Sequence, residues 1–132
     1  MVGGLLYGTT YGGGRVGGGM VFSVTPDTGK ETVLHDFVSS SDGAQPLGTL
    51  AYYNRTFYGT TQGGGSLGGS GFGTVFSYTI SSGTESVLHT FTDDTTKGIS
   101  PAAGVIYSGG ALYGTTEFGG AYNDGTVFKL VP

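Results

Sequence analysis

The sequence contains no cysteine and no tryptophan, and only 11% of its residues are charged. The absence of cysteine excludes a disulfide scaffold, thiolate metal sites and cysteine catalysis, and it leaves the redox compartment of the protein open. Five Lys plus Arg against nine Asp plus Glu give a formal net charge of −4. Nucleic acids and anionic membrane surfaces require clustered cations, so we predict no nucleic-acid partner.

Long apolar runs and a basic N-terminal segment are also missing. The opening residues, MVGGLLYG, carry neither the positive segment nor the apolar stretch of a signal peptide. No run of apolar residues is long enough to span a bilayer. We therefore expect no signal peptide at this N-terminus and no membrane insertion.

Glycine and aromatic residues, by contrast, are abundant, with 29 Gly, 9 Tyr and 8 Phe among 132 residues. A disordered chain would be poor in aromatic residues and rich in charge, so this chain is expected to fold. Its length is that of one domain, which we place over residues 1–132. The glycines then belong to turns and to tight packing.

Four short patterns recur along the chain, always in the same order and with a period of roughly fifty residues. Each copy is rich in Val, Ile, Leu, Phe, Tyr and Thr and is bounded by Gly, Pro, Asp or Ser, which is typical of short β-strands joined by turns. The copies are LYGTT (6–10), FYGTT (57–61) and LYGTT (112–116); GMVFSV (19–24), GTVFSY (73–78) and GTVFKL (125–130); TGKETVLHDF (28–37) and SGTESVLHTF (82–91); and QPLGTLAYY (45–53) and SPAAGVIYS (100–108).

The repeat predicts an all-β fold of propeller type. No stretch keeps apolar residues at helical spacing over three turns, so almost no helix is expected. Four antiparallel strands in about fifty residues are typical of a β-propeller blade, and strands that are apolar on both faces fit blades that stack on their neighbours. The strand that precedes FYGTT or the last LYGTT, from 47 or 102 onward, is rich in Gly and Ala. We expect it to be the innermost strand, close to the propeller axis.

With the strands of one blade labelled a to d from the axis outward, the chain is b-c-d, a-b-c-d, a-b-c. This series is a partial blade over residues 1–37, a complete blade over 45–91 and a partial blade over 100–132. About two and a half repeats are too few to close a ring, and uncovered blade faces and open strand edges favour pairing with another copy. We predict a homo-oligomer, in the simplest case a dimer that forms a six-bladed propeller.

These residues also resemble a known family. The series LYGTT, GTVF, VLHxF and DGxxP, followed by a return to LYGTT, is similar to the Gloeo-Verruco (GloVer) repeat over nearly the whole chain. The resemblance implies a bacterial protein of propeller-type tandem repeats that is extracellular or displayed at the cell surface. It implies no common set of catalytic residues.

The two histidines, His35 and His89, occupy the same position in the two copies of strand d. Strand alternation predicts that Val33, His35 and Phe37 share one face. A histidine that recurs favours a structural hydrogen bond in each blade over catalysis, since a catalytic residue is needed only once. As candidates for a general base they require a partner within reach, and the sequence identifies none.

The glycine-rich stretches 11–19 and 63–73 are predicted to be long loops between strands b and c, on one rim of the propeller. They lack the Lys-Ser/Thr ending of a phosphate-binding loop and open no helix, which disfavours a nucleotide site. Binding sites usually lie on such loops, and their aromatic, amide and carboxylate side chains suit a neutral glycan. The ligand-binding candidates are Tyr11, Arg15, Gln62, Glu117, Phe118, Tyr122 and Asn123, and Ser66, Leu67 and Asp124 also differ among the copies.

The carboxylates are the candidates for metal binding. Asp42 precedes a glycine and belongs to a turn-type sequence, and Lys97 replaces it in the next copy, so a metal site repeated in every blade is excluded. Calcium requires six to eight oxygen ligands. Glu117, Asn123 and Asp124 are the metal candidates, since they lie on a single loop, and calcium is the cofactor they suggest.

Two functions of different classes follow. The first is an extracellular module that self-associates and binds a neutral glycan or small molecule through its Gly- and Tyr-rich rim loops. For these loops the other interpretation is that they only solvate the fold. The alternative is a calcium-dependent hydrolase of lactones or esters that acts at the central tunnel, where the metal would polarise a carbonyl and activate water. This alternative rests on fold analogy with propeller lactonases. Its candidate catalytic residues are His35, His89 and Glu117.

Overall fold

A computed structural model describes residues 1–65, 71–94 and 96–132. These residues form ten β-strands, and none of them lies in a helix. The described part of the chain accordingly offers no helix that could cross a membrane. The predicted all-β class is confirmed, while Ser66 and Leu67 of the predicted rim lie outside the described residues.

The strands are divided among three antiparallel sheets of three, four and three strands, and each strand pairs with its neighbour in the chain. This division agrees with the series of strands expected from the repeat. The first sheet contains β1 (Leu6–Thr10), β2 (Met20–Thr25) and β3 (Lys30–Asp36); the second contains β4 (Ala51–Tyr53), β5 (Thr56–Thr61), β6 (Thr74–Thr79) and β7 (Thr84–Thr90); the third contains β8 (Ile106–Ser108), β9 (Ala111–Thr116) and β10 (Thr126–Leu130).

The glycine of the LYGTT pattern lies opposite a phenylalanine of the next strand in every sheet. A β-carbon on Gly59 would lie 2.6 Å from Cζ of Phe76, which is far inside van der Waals contact. Glycine at this position therefore lets the aromatic ring lie against the neighbouring strand. The three pairs are Gly8 with Phe22, Gly59 with Phe76, and Gly114 with Phe128.

The core lies between the sheets. Phe37, just after β3, and Phe76 of the second sheet are both fully buried, and their rings meet edge to face with centroids 5.0 Å apart. Phe91, just after β7, and Phe128 of the third sheet repeat this contact at 5.4 Å. One type of interface between sheets thus occurs twice in the chain.

The small residues of the predicted innermost strand lie where two sheets approach most closely. The rings of Tyr53 and Tyr107 stack with centroids 4.0 Å apart. A β-carbon on Gly48 would collide with the backbone of Gly104. Strand β4 begins only at Ala51, later than the residue 47 expected from the pattern, and the residues before it pack against the corresponding segment of the third sheet instead.

The glycine-rich loops hold the connectors that lead from one sheet to the next. The backbone N–H of Gln45 donates to the carbonyl of Gly18 at 2.8 Å, and its carbonyl accepts from the N–H of Gln62 at 3.1 Å. Ser100 forms the same two bonds in the next connector, at 2.8 and 3.0 Å. Both residues have a positive φ, 60° for Gln45 and 56° for Ser100. The loops therefore have a structural role in each repeat.

A β-bulge in β3 changes the face on which its histidine lies. Val21 pairs with His35, whereas the adjacent Phe22 pairs with Val33, so β3 has one extra residue at this point. His35 therefore shares a face with Val21, and Val33 lies on the opposite face. The expectation from strict alternation that Val33 and His35 share a face is wrong, and β7 has the same irregularity.

Candidate functional site

Three ionisable side chains meet between the first and second sheets. His35 of β3, Asp42 of the following connector and Glu85 of β7 each bring one possible metal-ligand atom to within 4.8 Å of the others. Nε2 of His35 and Oδ2 of Asp42 are 2.8 Å apart. His35 thus has the partner that the sequence did not identify.

Local structure fixes each member of this cluster. The bulge in β3 places His35 on the face that is covered by the second sheet. The backbone N–H of Val38 donates to Oδ1 of Asp42 at 2.7 Å, so both carboxylate oxygens of Asp42 accept hydrogen bonds. Glu85 pairs with Tyr78, and its strand brings it toward the first sheet.

Glu85 is the member of the cluster with a buried carboxylate oxygen that accepts no hydrogen bond from the described residues. Burial, and to a smaller extent the negative charge of Asp42, raise the pKa of Glu85 to about 7. Its Oε1 atom is buried and has no hydrogen-bond partner within the described ranges. A buried carboxylate oxygen without a partner is costly. The cluster therefore favours a proton or a cation beside Glu85.

The second histidine has different surroundings. The residue at the position of Asp42 is Lys97, whose Nζ lies 3.0 Å from Oδ2 of Asp94. His89 is more exposed than His35, and partial burial lowers its pKa. Both imidazole rings pack edge-on against the phenylalanine two positions later, with centroids 4.9 and 4.8 Å apart. In the part of the chain that the structure describes, the expected hydrogen bond of a structural histidine is found at His35 alone.

The aromatic candidates for ligand binding lie exposed on the loops between strands. Tyr122 is 87% exposed, Tyr11 51% and Phe118 43%. Gln62 directly follows β5 and Glu117 directly follows β9, so they occupy the same repeat position. Nε2 of Gln62 donates to Oε2 of Glu117 at 3.1 Å. The structure therefore brings two of the predicted polar residues together.

The remaining loop candidates are partly engaged in holding the loops. Oδ1 of Asn123 accepts from the backbone N–H of Gly119 at 2.9 Å, and the backbone N–H of Arg15 donates to Asp36 at 3.0 Å. Asp124 is exposed. Where the structure describes the chain, neither Glu117 nor Asp124 belongs to a group of three His, Asp or Glu side chains, so the expected calcium site gains no support from this loop.

A groove of about 550 Å³ runs along the strands β4 and β8. Its lining includes Leu50, Val105 and Ile106, and it contains no carboxylate and no imidazole. Tyr107 is its one titratable side chain, and burial together with the neighbouring Tyr53 raises the pKa of Tyr107. The lining of the groove therefore includes none of the candidate catalytic residues His35, His89 and Glu117.

The repeated structure agrees with the comparison of the sequence with protein families. The model of the Gloeobacter/Verrucomicrobia repeat matches residues 1–132. A search of curated proteins gives no match to the chain. In each of the three sheets, a strand with LYGTT or FYGTT is followed by a strand with the GMVF or GTVF pattern. VLHxF lies at the end of the last strand of the first and second sheets. Since the match spans every residue, the chain belongs to the Gloeobacter/Verrucomicrobia repeat family.

Proposed function

We propose that the chain is a β-propeller repeat module, each sheet being one blade, that assembles with a second copy through the outer faces of its end sheets. One repeat position carries the proposal. Val21 and Val75 are fully buried, whereas Val127, at the same position of the third sheet, is 79% exposed. Among the described residues, no sheet covers the third valine as a neighbouring sheet covers the first two.

The faces of successive sheets meet in a fixed order. Val21 belongs to a buried cluster with Phe76 of the second sheet, and Val75 belongs to one with Leu112 of the third. On the third sheet the corresponding face presents Ile106 and Val127, which are 66% and 79% exposed. Exposed apolar residues that share one face of a sheet are typical of an interaction surface.

On the first sheet, the opposite face is left exposed by the described parts of the chain. Phe57 and Leu112 are 4% and 0% exposed, whereas Leu6, at the same repeat position, is 45% exposed. The two uncovered faces are thus the two halves of an interface that the chain forms twice within itself. A second copy fits head to tail, with its first sheet on the third sheet of its partner.

A closed ring satisfies both end faces at once. Each chain supplies three sheets, so two chains supply the six blades of a common propeller size. The third sheet has three strands where the second has four, and its edge strand β10 is open to pairing with another chain. Closure of the ring also protects this edge from uncontrolled pairing. We propose this six-bladed dimer, located outside the bacterial cell as the family resemblance implies.

Cross-linking between two single-cysteine variants tests the head-to-tail order. The chain has no cysteine, so Leu6→Cys and Ile106→Cys each carry one thiol. Ala51 of the second sheet is the counterpart of Ile106, and Leu112 of the third sheet is the counterpart of Leu6. Within the chain, Ala51 packs against the buried cluster that contains Leu112. A short bis-maleimide is expected to join the two variants when they are mixed, because unlike faces meet.

Each variant alone is the control for this experiment, and it is expected to give no covalent dimer. Equal cross-linking in each variant alone would show that like faces meet and would contradict the head-to-tail order. Absence of cross-linking in the mixture as well would contradict assembly through these faces.

We also propose that the loop around Tyr122 binds a neutral glycan. The observation in favour is an aromatic ring that is 87% exposed on a loop fixed by the bond between Asn123 and Gly119. Tyr122→Ala is expected to abolish binding to a panel of neutral oligosaccharides measured by calorimetry, whereas Tyr122→Phe retains the stacking ring and most of the affinity. Unchanged binding by Tyr122→Ala, or no binding by the unmodified chain, would overturn this assignment.

A further inference from the structure

The cluster of His35, Asp42 and Glu85 combines one imidazole with two carboxylates. Their three ligand-type atoms lie within 4.8 Å of one another, whereas atoms that bind one Zn²⁺ at 2.0–2.2 Å lie roughly 3–4 Å apart. Small side-chain rotations are therefore enough to bring all three onto one ion. The cluster is distinct from the rim loops and from the apolar groove.

Hydrogen bonding within the protein satisfies only part of this cluster. Asp42 accepts from His35 through Oδ2 and from the backbone of Val38 through Oδ1. Oε1 of Glu85 is buried and accepts nothing from the described residues. An oxygen that is removed from water and left without a donor favours a cation placed beside it.

We propose that His35, Asp42 and Glu85 bind a divalent transition-metal ion, of which Zn²⁺ fits the residues best, and that this ion fastens the first sheet to the second. Zn²⁺ accepts a ligand set of imidazole nitrogen and carboxylate oxygen with a coordination number of four, leaving one position for water. Calcium suits the cluster less, because it needs six to eight oxygen ligands and avoids imidazole.

The repeat confines this site to one interface. Glu31 stands at the position of Glu85 on the first sheet but is exposed. His89 stands at the position of His35, but Lys97 replaces Asp42 beside it, and a lysine repels a cation. The chain therefore contains matched controls for two of the three ligands.

Titration calorimetry with zinc chloride on the chelator-treated chain tests the proposal. One equivalent of Zn²⁺ is expected to bind and to raise the midpoint of thermal unfolding, since an ion that binds only the folded state stabilises it. Glu85→Gln and His35→Gln are expected to weaken zinc binding about tenfold or more, because even outer-shell changes at metal sites cost about 10–100-fold. Calcium chloride is expected to produce neither effect.

The controls are Glu31→Gln and His89→Gln, which are expected to bind zinc like the unmodified chain. Glu85→Gln without metal is expected to unfold at the same temperature as the unmodified metal-free chain or at a higher one, which separates loss of binding from loss of folding. Failure of the unmodified chain to bind zinc would overturn the proposal. Zinc binding that survives in Glu85→Gln, or that is lost in His89→Gln, would also overturn it.

Discussion

Val127→Asp is expected to convert the proposed dimer into single chains. Its repeat counterparts Val21 and Val75 are fully buried, and burial of a valine side chain contributes about 1.5–3 kcal/mol. The closed dimer contains this contact twice, so loss of these contributions alone weakens association on the order of 10²- to 10⁴-fold. A carboxylate buried without a partner adds a desolvation cost of several kcal/mol. Sedimentation velocity over a range of concentrations measures the resulting dissociation constant.

The matched control is Val16→Asp. Val16 lies on the loop between β1 and β2 and is 58% exposed, so this variant adds the same charge away from both end faces. Its dissociation constant is expected to equal that of the unmodified chain, and thermal unfolding shows whether both variants remain folded. A Val127→Asp protein that associates as tightly as Val16→Asp would show that this face does not take part in assembly.

Phe76→Ala is expected to lower the free energy of unfolding by about 3–5 kcal/mol. The ring of Phe76 is fully buried, lies against Gly59 and meets the ring of Phe37 edge to face at 5.0 Å. Alanine in place of Phe76 leaves a cavity between the first and second sheets that neither sheet can close. The loss is a large share of the roughly 5–15 kcal/mol that stabilises a typical domain. Urea denaturation with a common slope measures it.

Phe22→Ala is the control at the same repeat position. Phe22 lies on the uncovered face of the first sheet and is only partly buried. In the single chains of the Val127→Asp background, its replacement is expected to cost clearly less than that of Phe76. Equal losses at Phe22 and Phe76 in that background would be incompatible with an uncovered first sheet.

The strands could be predicted from the sequence because their signals are local. LYGTT or FYGTT, and GMVF or GTVF, consist largely of strand-forming residues, and one form of each pattern occurs in every sheet. The small residues around Gly48 were also informative, since close approach of backbones leaves no room for a side chain. These features depend on a few neighbouring residues, and a repeat presents each of them more than once.

The cluster at His35 could not be predicted from local pattern. The bulge in β3 moves His35 to the face opposite Val33, and no residue of the pattern signals the extra position. Glu85 belongs to the next repeat, so its approach depends on how two sheets pack. The replacement of Asp42 by Lys97 was visible in the sequence and argued against a metal site repeated in every blade, but it did not show that one interface would have the cluster.

The role of the glycine-rich loops was also hidden from sequence analysis. Gly18 and Gln62 hold the connector at Gln45 through backbone hydrogen bonds, and backbone groups are the same in every residue type. The sequence indicated where the loops lie but not what they contact.

The mass of the unmodified chain in solution tests the proposed assembly most directly. One chain has a mass of 13.3 kDa, and in the proposed assembly a second copy covers both end faces. Multi-angle light scattering at micromolar concentrations is expected to give twice the mass of one chain. A mass of 13.3 kDa at every concentration would contradict the assembly and leave the exposed faces of Val127 and Leu6 unexplained.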